Sequence, residues 1–156
     1  MTERPEPIRR SVTVRCSPEH AFRVFTERMD TWWPHGTHSR AAMEFEGPTV
    51  ESIEFQTYAG GRILEHLSDG RVLPWAEILV WEPPRRFVMA WRPHSRPQPP
   101  TDVELTFTPV DGGTQVVLEH RGWERLTKDD ADLHASYGDG WIGTLGRFAE
   151  AANRAA

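Results

Sequence analysis

From Phe45 to Trp123 the apolar residues tend to alternate with polar ones, broken by short turns rich in glycine and proline. From Leu133 onward they recur every three or four residues instead. This switch of period, from about 2 to about 3.6, constrains the fold more than any other feature of the chain. The first stretch reads as a run of strands over residues 49–57, 62–66, 72–81, 87–91, around Val103, Leu105 and Phe107, and over 115–123. Ala59-Gly60-Gly61, Ser68-Asp69-Gly70 and Asp111-Gly112-Gly113 are hairpin turns, because glycine enters the left-handed region without steric cost. Pro74 inside 72–81 predicts a bulge or an edge, and residues 92–101 form a long polar loop. The final segment carries Leu133, Tyr137, Trp141, Leu145, Phe148 and Ala152 on one helical stripe.

Upstream, Ile8, Val12 and Val14 share parity in a strand over 8–15. Ser17-Pro18 then opens a helix: serine caps the free amides, proline suits the first helical position and Glu19 suits the positive end of the dipole. Ala21, Phe22, Val24 and Phe25 give this helix its apolar side. Met29, Trp32 and Trp33 form a second helical turn that Pro34 stops, and His35 to Ala42 reads as loop. A meander of antiparallel strands cannot bury its apolar face alone, and the terminal helix is the element left to cover it. The expected fold is therefore α+β: a curved antiparallel sheet of about six to seven strands wrapped around a long C-terminal helix, with two short helices after the first strand. Residues 1–7 are read as a frayed arm and 8–156 as one domain. Gly138, Gly140, Gly143 and Gly146 each cost a helix about 1 kcal/mol against alanine. Either the helix starts late, near Gly138, or backbone there approaches something closely.

The net charge of −5 argues against a nucleic-acid binder, which needs a basic surface for phosphates. No stretch is long and apolar enough to span a bilayer, the start has no apolar signal core, and no segment pairs an apolar with a basic face. A cytoplasmic protein without membrane partners is expected. Cys16 is the single cysteine, so an internal disulfide or cysteine-based zinc site is ruled out. It sits just before a helix start, where a thiol is either activated or simply a small core residue.

The order of elements and several phrases resemble the START-like, or polyketide-cyclase, helix-grip superfamily. Within it the chain resembles bacterial homologues of the C-terminal domain of the heat-shock-protein-90 ATPase activator. The resemblance is carried by Ala21-Phe22 through Trp32-Trp33, by Gly60-Gly61, and by Glu77 followed by Trp81-Glu82-Pro83-Pro84 and Phe87 to Trp91. Val103-Glu104-Leu105 with Phe107, Gly112-Gly113-Thr114, His120, Gly122-Trp123 and Gly140-Trp141 also carry it, so that it spans roughly residues 8–153. It implies the helix-grip fold. It does not fix an activity, because family members include carriers, cyclases and protective proteins, and fold does not set function.

Seven tryptophans stand out. They either pack the core or line a cavity with flat rings suited to aromatic ligands. Trp33, Trp75, Trp91 and Trp141 are the cavity choices, with Phe55, Leu105, His120 and Leu145 completing a ligand-binding set for a small hydrophobic or aromatic molecule. Which parity of 72–81 and 87–91 faces inward stays open, since both faces carry apolar residues. Glu77, Glu104 and Glu119 belong by habit on the solvent face, and an inward one would be a desolvated acid or base. Glu77 and His120 are the catalytic candidates, His66 is a strand histidine of structural type, and Arg62 is a possible electrophile-holding donor. His35 and His38, with Glu44 and Glu46, make too loose a set for zinc, so neither metal nor cofactor is expected. No phosphate loop, dinucleotide fingerprint or nucleophile elbow is present. Three functions remain: a non-enzymatic binder of a hydrophobic or aromatic molecule; a cyclase, dehydratase or hydrolase on a polyketide-like substrate; and an interaction module, chaperone-linked or homodimeric. The chain is expected to be a monomer or homodimer.

Overall fold

The computed structural model describes residues 6–93, 99–126 and 131–154, without the side chains of residues 131–133 and 135. Seven strands form one antiparallel sheet: β1 (Ile8–Val14), β2 (Val50–Phe55), β3 (Arg62–Leu67), β4 (Val72–Glu82), β5 (Arg86–Trp91), β6 (Thr101–Val110) and β7 (Gly113–Arg121). Their spatial order is β1-β7-β6-β5-β4-β3-β2, so each of β2 to β7 lies beside its sequence neighbour and β1 crosses to the far edge beside β7. The connection from β1 to β2 carries three short helices, α1 (Pro18–Thr26), α2 (Met29–Trp32) and α3 (Arg40–Glu44), and the long helix α4 (Ala131–Arg154) ends the chain. The sheet curls into a half-barrel around α4. Among the described residues no helix is long and apolar enough to cross a membrane.

The alternation read from the sequence at Val103, Leu105 and Phe107 is the inward parity of β6. Phe87, Met89 and Trp91 on β5, Val103, Leu105 and Phe107 on β6, and Val116, Leu118 and His120 on β7 are all buried. Glu104 and Glu119 take the other face, where Arg121 bonds both, at 2.6 and 3.2 Å. β4 has no single parity. Its pairing skips Trp75 against β3 and Leu79 against β5, so two bulges re-aim it. The first leaves Trp75 and Ala76 both buried, and the second leaves Leu79 exposed. Pro74 thus marks a bulge in an interior strand, not an edge.

Two local expectations are corrected. The stretch after Pro34 is not loop throughout, because Arg40–Glu44 forms α3. Its N-cap is Ser39, whose hydroxyl accepts from the Ala42 amide at 3.0 Å. The terminal helix does not start late, since α4 runs through Gly138 from Ala131. The close approach is what is found there: Arg10 Nε donates to the Gly138 carbonyl at 3.1 Å, and a Cβ at Gly138 would lie 3.3 Å from the same guanidinium. The helix start at Ser17 follows the sequence signal, with Ser17 Oγ accepting from the His20 amide at 3.2 Å.

The interior is filled by aromatic rings. Phe22 meets Trp81, Phe87 and Phe107 with ring centroids 5.0 to 5.6 Å apart. Phe25 meets Trp32 and Phe148 at 5.0 Å. Of the predicted α4 stripe, Trp141, Leu145, Phe148 and Ala152 are buried and Tyr137 is half-buried, while the Leu133 side chain lies outside the described residues.

Candidate functional site

At one end of the half-barrel the aromatic packing gives way to a cavity of about 600 Å³ between α4, the end of β5 and the segment around α3. That volume lies within the range of small-molecule sites, roughly 300–1,000 Å³. Trp33, Trp91 and Trp141 form its apolar wall. Trp33 centres the cluster, with ring centroids 5.0 Å from Trp75, 6.0 Å from Trp91 and 6.1 Å from Trp141. Trp91 and Trp141 lie 5.3 Å apart.

The four tryptophans chosen from the sequence are therefore one cluster, in which Trp75 sits behind Trp33. The other residues of the expected ligand set lie elsewhere. Leu105 and Leu145 are fully buried in the core. Phe55 packs on Trp81 and Phe87, at 6.1 and 5.6 Å. His120 is buried behind Trp141.

Each indole N–H reports how firmly its ring is held. Trp33 Nε1 donates to the His38 carbonyl at 2.6 Å, Trp32 Nε1 to the Val24 carbonyl at 2.9 Å and Trp123 Nε1 to the His120 carbonyl at 2.9 Å. Trp75 Nε1 donates to Glu65 Oε1 at 2.8 Å. Trp141 Nε1 lies 3.0 Å from His120 Nδ1. Since an indole nitrogen only donates, Nδ1 must accept, and the His120 proton sits on Nε2. Nε2 is 2.6 Å from Thr101 Oγ1, which in turn reaches the Trp91 carbonyl at 3.4 Å. One neutral imidazole thus joins β5, β6, β7 and α4 behind the cavity wall. Burial, with a smaller push from His134, lowers the His120 pKa from 6.5 to about 3. Both ring nitrogens are committed, which suits a structural role rather than proton exchange with a ligand.

Trp91 is the exception. Its Nε1 is buried and has no acceptor among the described residues. An unpaired buried donor costs about 1–3 kcal/mol, and it belongs to a residue of the cavity wall.

Thr37, His38, Ser39, Met43 and Glu44 approach the cavity from the α3 side, and Ser136, Tyr137, Gly140 and Thr144 from α4. Glu44 is 2.8 Å from Arg40 Nε. His38 Nδ1 lies 2.7 Å from Thr37 Oγ1. Burial, and then the charge of Arg147, hold the His38 pKa below the usual histidine value. The sequence offered His38 only as half of a loose metal pair. Its partner there, His35, instead binds Asp30 at 3.0 Å, and Glu46 is exposed. Among the described residues no three His, Cys, Asp or Glu side chains gather as a metal site.

Glu65, which no sequence pattern singled out, is the one glutamate with no solvent exposure among the described residues. Its Oε1 accepts from the Arg40 amide and Trp75 Nε1, and its Oε2 from the Ala41 amide, each at 2.8 Å. The carboxylate ties α3 to β3 and fixes the ring behind Trp33. A parity count could have placed it inward, between Ile63 and Leu67.

The remaining candidates lie away from the main cavity. Glu77 and Arg62 face each other in the β3–β4 register and border a smaller depression of about 340 Å³ with Arg40 and Arg92. Glu104 accepts from Arg86 and Arg121 on the outer face. Burial works against its charge, but those hydrogen bonds outweigh it and keep the carboxyl below the usual range. His66 bonds Glu54 at 2.8 Å. Burial raises the Cys16 thiol pKa, opposite to activation.

The family described as "Activator of Hsp90 ATPase homolog 1-like protein" matches residues 15–153. Among solved structures, protein MLL2253 from Mesorhizobium loti is 20% identical, with 97% of this chain and 99% of that one covered and a TM-score of 0.66. An AHSA1-like protein from Aeromonas hydrophila is 17% identical over 96% and 94%, with a TM-score of 0.67. At such identities these two show the fold alone. The anthrahydroquino-γ-pyrone synthase Txn09, solved as a complex, is 32% identical over 96% of this chain and 99% of that one, with a TM-score of 0.61. A search of curated proteins finds no match.

Proposed function

Because the chain belongs to the activator-of-Hsp90-ATPase-homolog-1-like family, within the START-like helix-grip superfamily, we propose that its cavity holds one planar aromatic ketone of polyketide type. One observation carries this reading: three indole rings, Trp33, Trp91 and Trp141, wall a cavity of about 600 Å³. Flat rings stack on flat ligands. The family's name does not set the activity, since the site is argued from its own chemistry.

A second reading, an enzyme that closes a ring on such a compound, is favoured by the 32% identity to a γ-pyrone synthase over nearly the whole of both chains. Both readings share the ligand class and differ in whether the ligand leaves changed.

Titration with anthraquinone tests the shared part. Saturable quenching of tryptophan fluorescence is expected, together with loss of binding in Gly140→Leu. That substitution puts a good helix-forming side chain into the cavity from α4, where an added Cβ would lie 3.7 Å from His38 Nε2. No response from the wild-type protein, or unchanged affinity in Gly140→Leu, would overturn the proposal.

A further inference from the structure

We propose that His38 takes the proton of an acidic phenol or enol hydroxyl on the bound aromatic ketone, so that the cavity selects hydroxylated ligands over bare ones. This inference rests on the cavity reading above and names what that ligand must carry.

The argument begins with where the ring is held. Trp33 donates to the His38 backbone carbonyl at 2.6 Å, and the two rings meet edge to face with centroids 6.4 Å apart. A planar ligand stacked on the Trp33 end of the wall therefore brings an edge to His38. The second fact is which nitrogen is engaged. Nδ1 is 2.7 Å from Thr37 Oγ1, and with Nδ1–H donating to that hydroxyl the lone pair is left on Nε2. The third is what lies opposite. Nε2 has no hydrogen-bond partner among the described residues, and α4 presents Gly140 beside it, where an added Cβ would lie 3.7 Å away.

Several other ionisable or hydroxylic groups at or behind the cavity wall are already engaged. Glu44 binds Arg40, the Thr144 hydroxyl donates to the Gly140 carbonyl at 2.9 Å, and both His120 nitrogens are used. His38 is neutral at neutral pH, as a proton acceptor must be.

In the transfer the ligand O–H bond breaks, its electron pair stays on oxygen, and the proton binds Nε2. The resulting imidazolium keeps its Nδ1–H on Thr37 Oγ1 and stands beside the new oxyanion. The proton returns to the oxygen when the ligand leaves. In the ring-closing reading that oxyanion is the nucleophile.

Two dyes of one shape separate the claims: anthraquinone, and 1,2-dihydroxyanthraquinone, whose visible absorption moves to longer wavelength when a hydroxyl ionises. At a pH where the free dihydroxy dye is neutral, the wild-type protein should bind it with the absorption of the anion. The ¹⁵N signal of His38 Nε2 should move from unprotonated to protonated, and anthraquinone should leave that signal unprotonated. His38→Gln should hold the dihydroxy dye in its neutral form and bind it about tenfold or more weakly, a larger loss than for anthraquinone and the one expected for a hydrogen bond to a charged group. A neutral spectrum of the dihydroxy dye on the wild-type protein, or an anionic one retained in His38→Gln, overturns the role of His38 while leaving the cavity reading in place. Failure of both dyes to bind overturns the cavity reading, and this inference with it. The wild-type ¹⁵N signal decides the matter even if His38→Gln folds poorly.

Discussion

At the scale of single residues, the two histidines beside the tryptophan cluster have opposite fates, and the reason is how many partners each ring has. His120 is buried with both nitrogens satisfied, and His38 is exposed at the mouth with one nitrogen unpartnered among the described residues. His120 also makes stability depend on pH. Unfolded, it takes a proton near 6.5; folded, it resists until about 3. Between those values the unfolded chain binds more protons, so the stabilisation is complete above 6.5 and is lost as pH falls toward 3, by up to ~1.4 kcal/mol per pH unit. Urea unfolding at steps from pH 7 to pH 4 should show this slope, and His120→Gln should flatten it. The same variant should be less stable at pH 7 by about 1–3 kcal/mol, because Trp141 Nε1 and Thr101 lose well-placed partners. Equal slopes in both proteins would show that His120 is not held neutral.

At the scale of elements, α3 and α4 are stabilised by different means. α3 has five residues, too short to persist by its own hydrogen bonds, and the Glu65 carboxylate holds its first two amides. Glu65→Ala should cost about 1–3 kcal/mol, as expected when buried amide and indole donors lose their acceptor. Hydrogen exchange should rise first at Arg40 and Ala41, and exchange unchanged there would remove Glu65 from this role. α4 rests on its buried stripe and carries glycines it does not all need. Gly143 and Gly146 are exposed, with nothing within 4 Å of an added Cβ. Gly143→Ala and Gly146→Ala should each raise stability by roughly 0.5–1 kcal/mol in urea unfolding, and a loss at either site would mean that its glycine has a role in the assembled protein. Gly113 is different, because its Cβ would sit 1.9 Å from the Val14 carbonyl oxygen where β7 begins beside β1.

At the scale of the whole molecule, much of the interior is closed by ring-on-ring packing, and a cavity of about 600 Å³ opens at one end. A ligand that binds only this folded form stabilises it by mass action. A free concentration a hundredfold above its dissociation constant adds about 2.7 kcal/mol, or roughly 5–10 °C in Tm for a chain of this size. Anthraquinone should therefore raise the melting temperature in a concentration-dependent way. A melting temperature that stays fixed while fluorescence is quenched would point to non-specific contact. The exposed large apolar residues, Met43, Tyr58, Val72, Leu79, Val110 and Ile142, are spread over α3, α4, two strands and a loop rather than gathered on one element. Of the long polar loop read over residues 92–101, residues 94–98 lie outside the described residues, as do residues 1–5 of the expected arm.

By itself the sequence determined the seven strands, the helices other than α3, and the hairpin pairing of β2 to β7. A two-residue period with glycine turns dictates hairpins between neighbours, and a 3.6-residue stripe dictates a helix with one buried side. It also picked the four tryptophans that cluster, since Trp33, Trp75, Trp91 and Trp141 sit on elements that must face the interior. It did not reveal the bulges of β4, because an extra residue opposite a partner leaves no mark on an apolar run that reads the same on both faces. Nor did it reveal Glu65 as the anchor of α3, or His38 as a wall of the cavity. Those roles depend on backbone amides and ring nitrogens that meet only when segments distant in sequence are packed together. Tertiary structure alone decided which end of the aromatic core stays open, because that depends on how the volumes of facing side chains add up across the strands and α4.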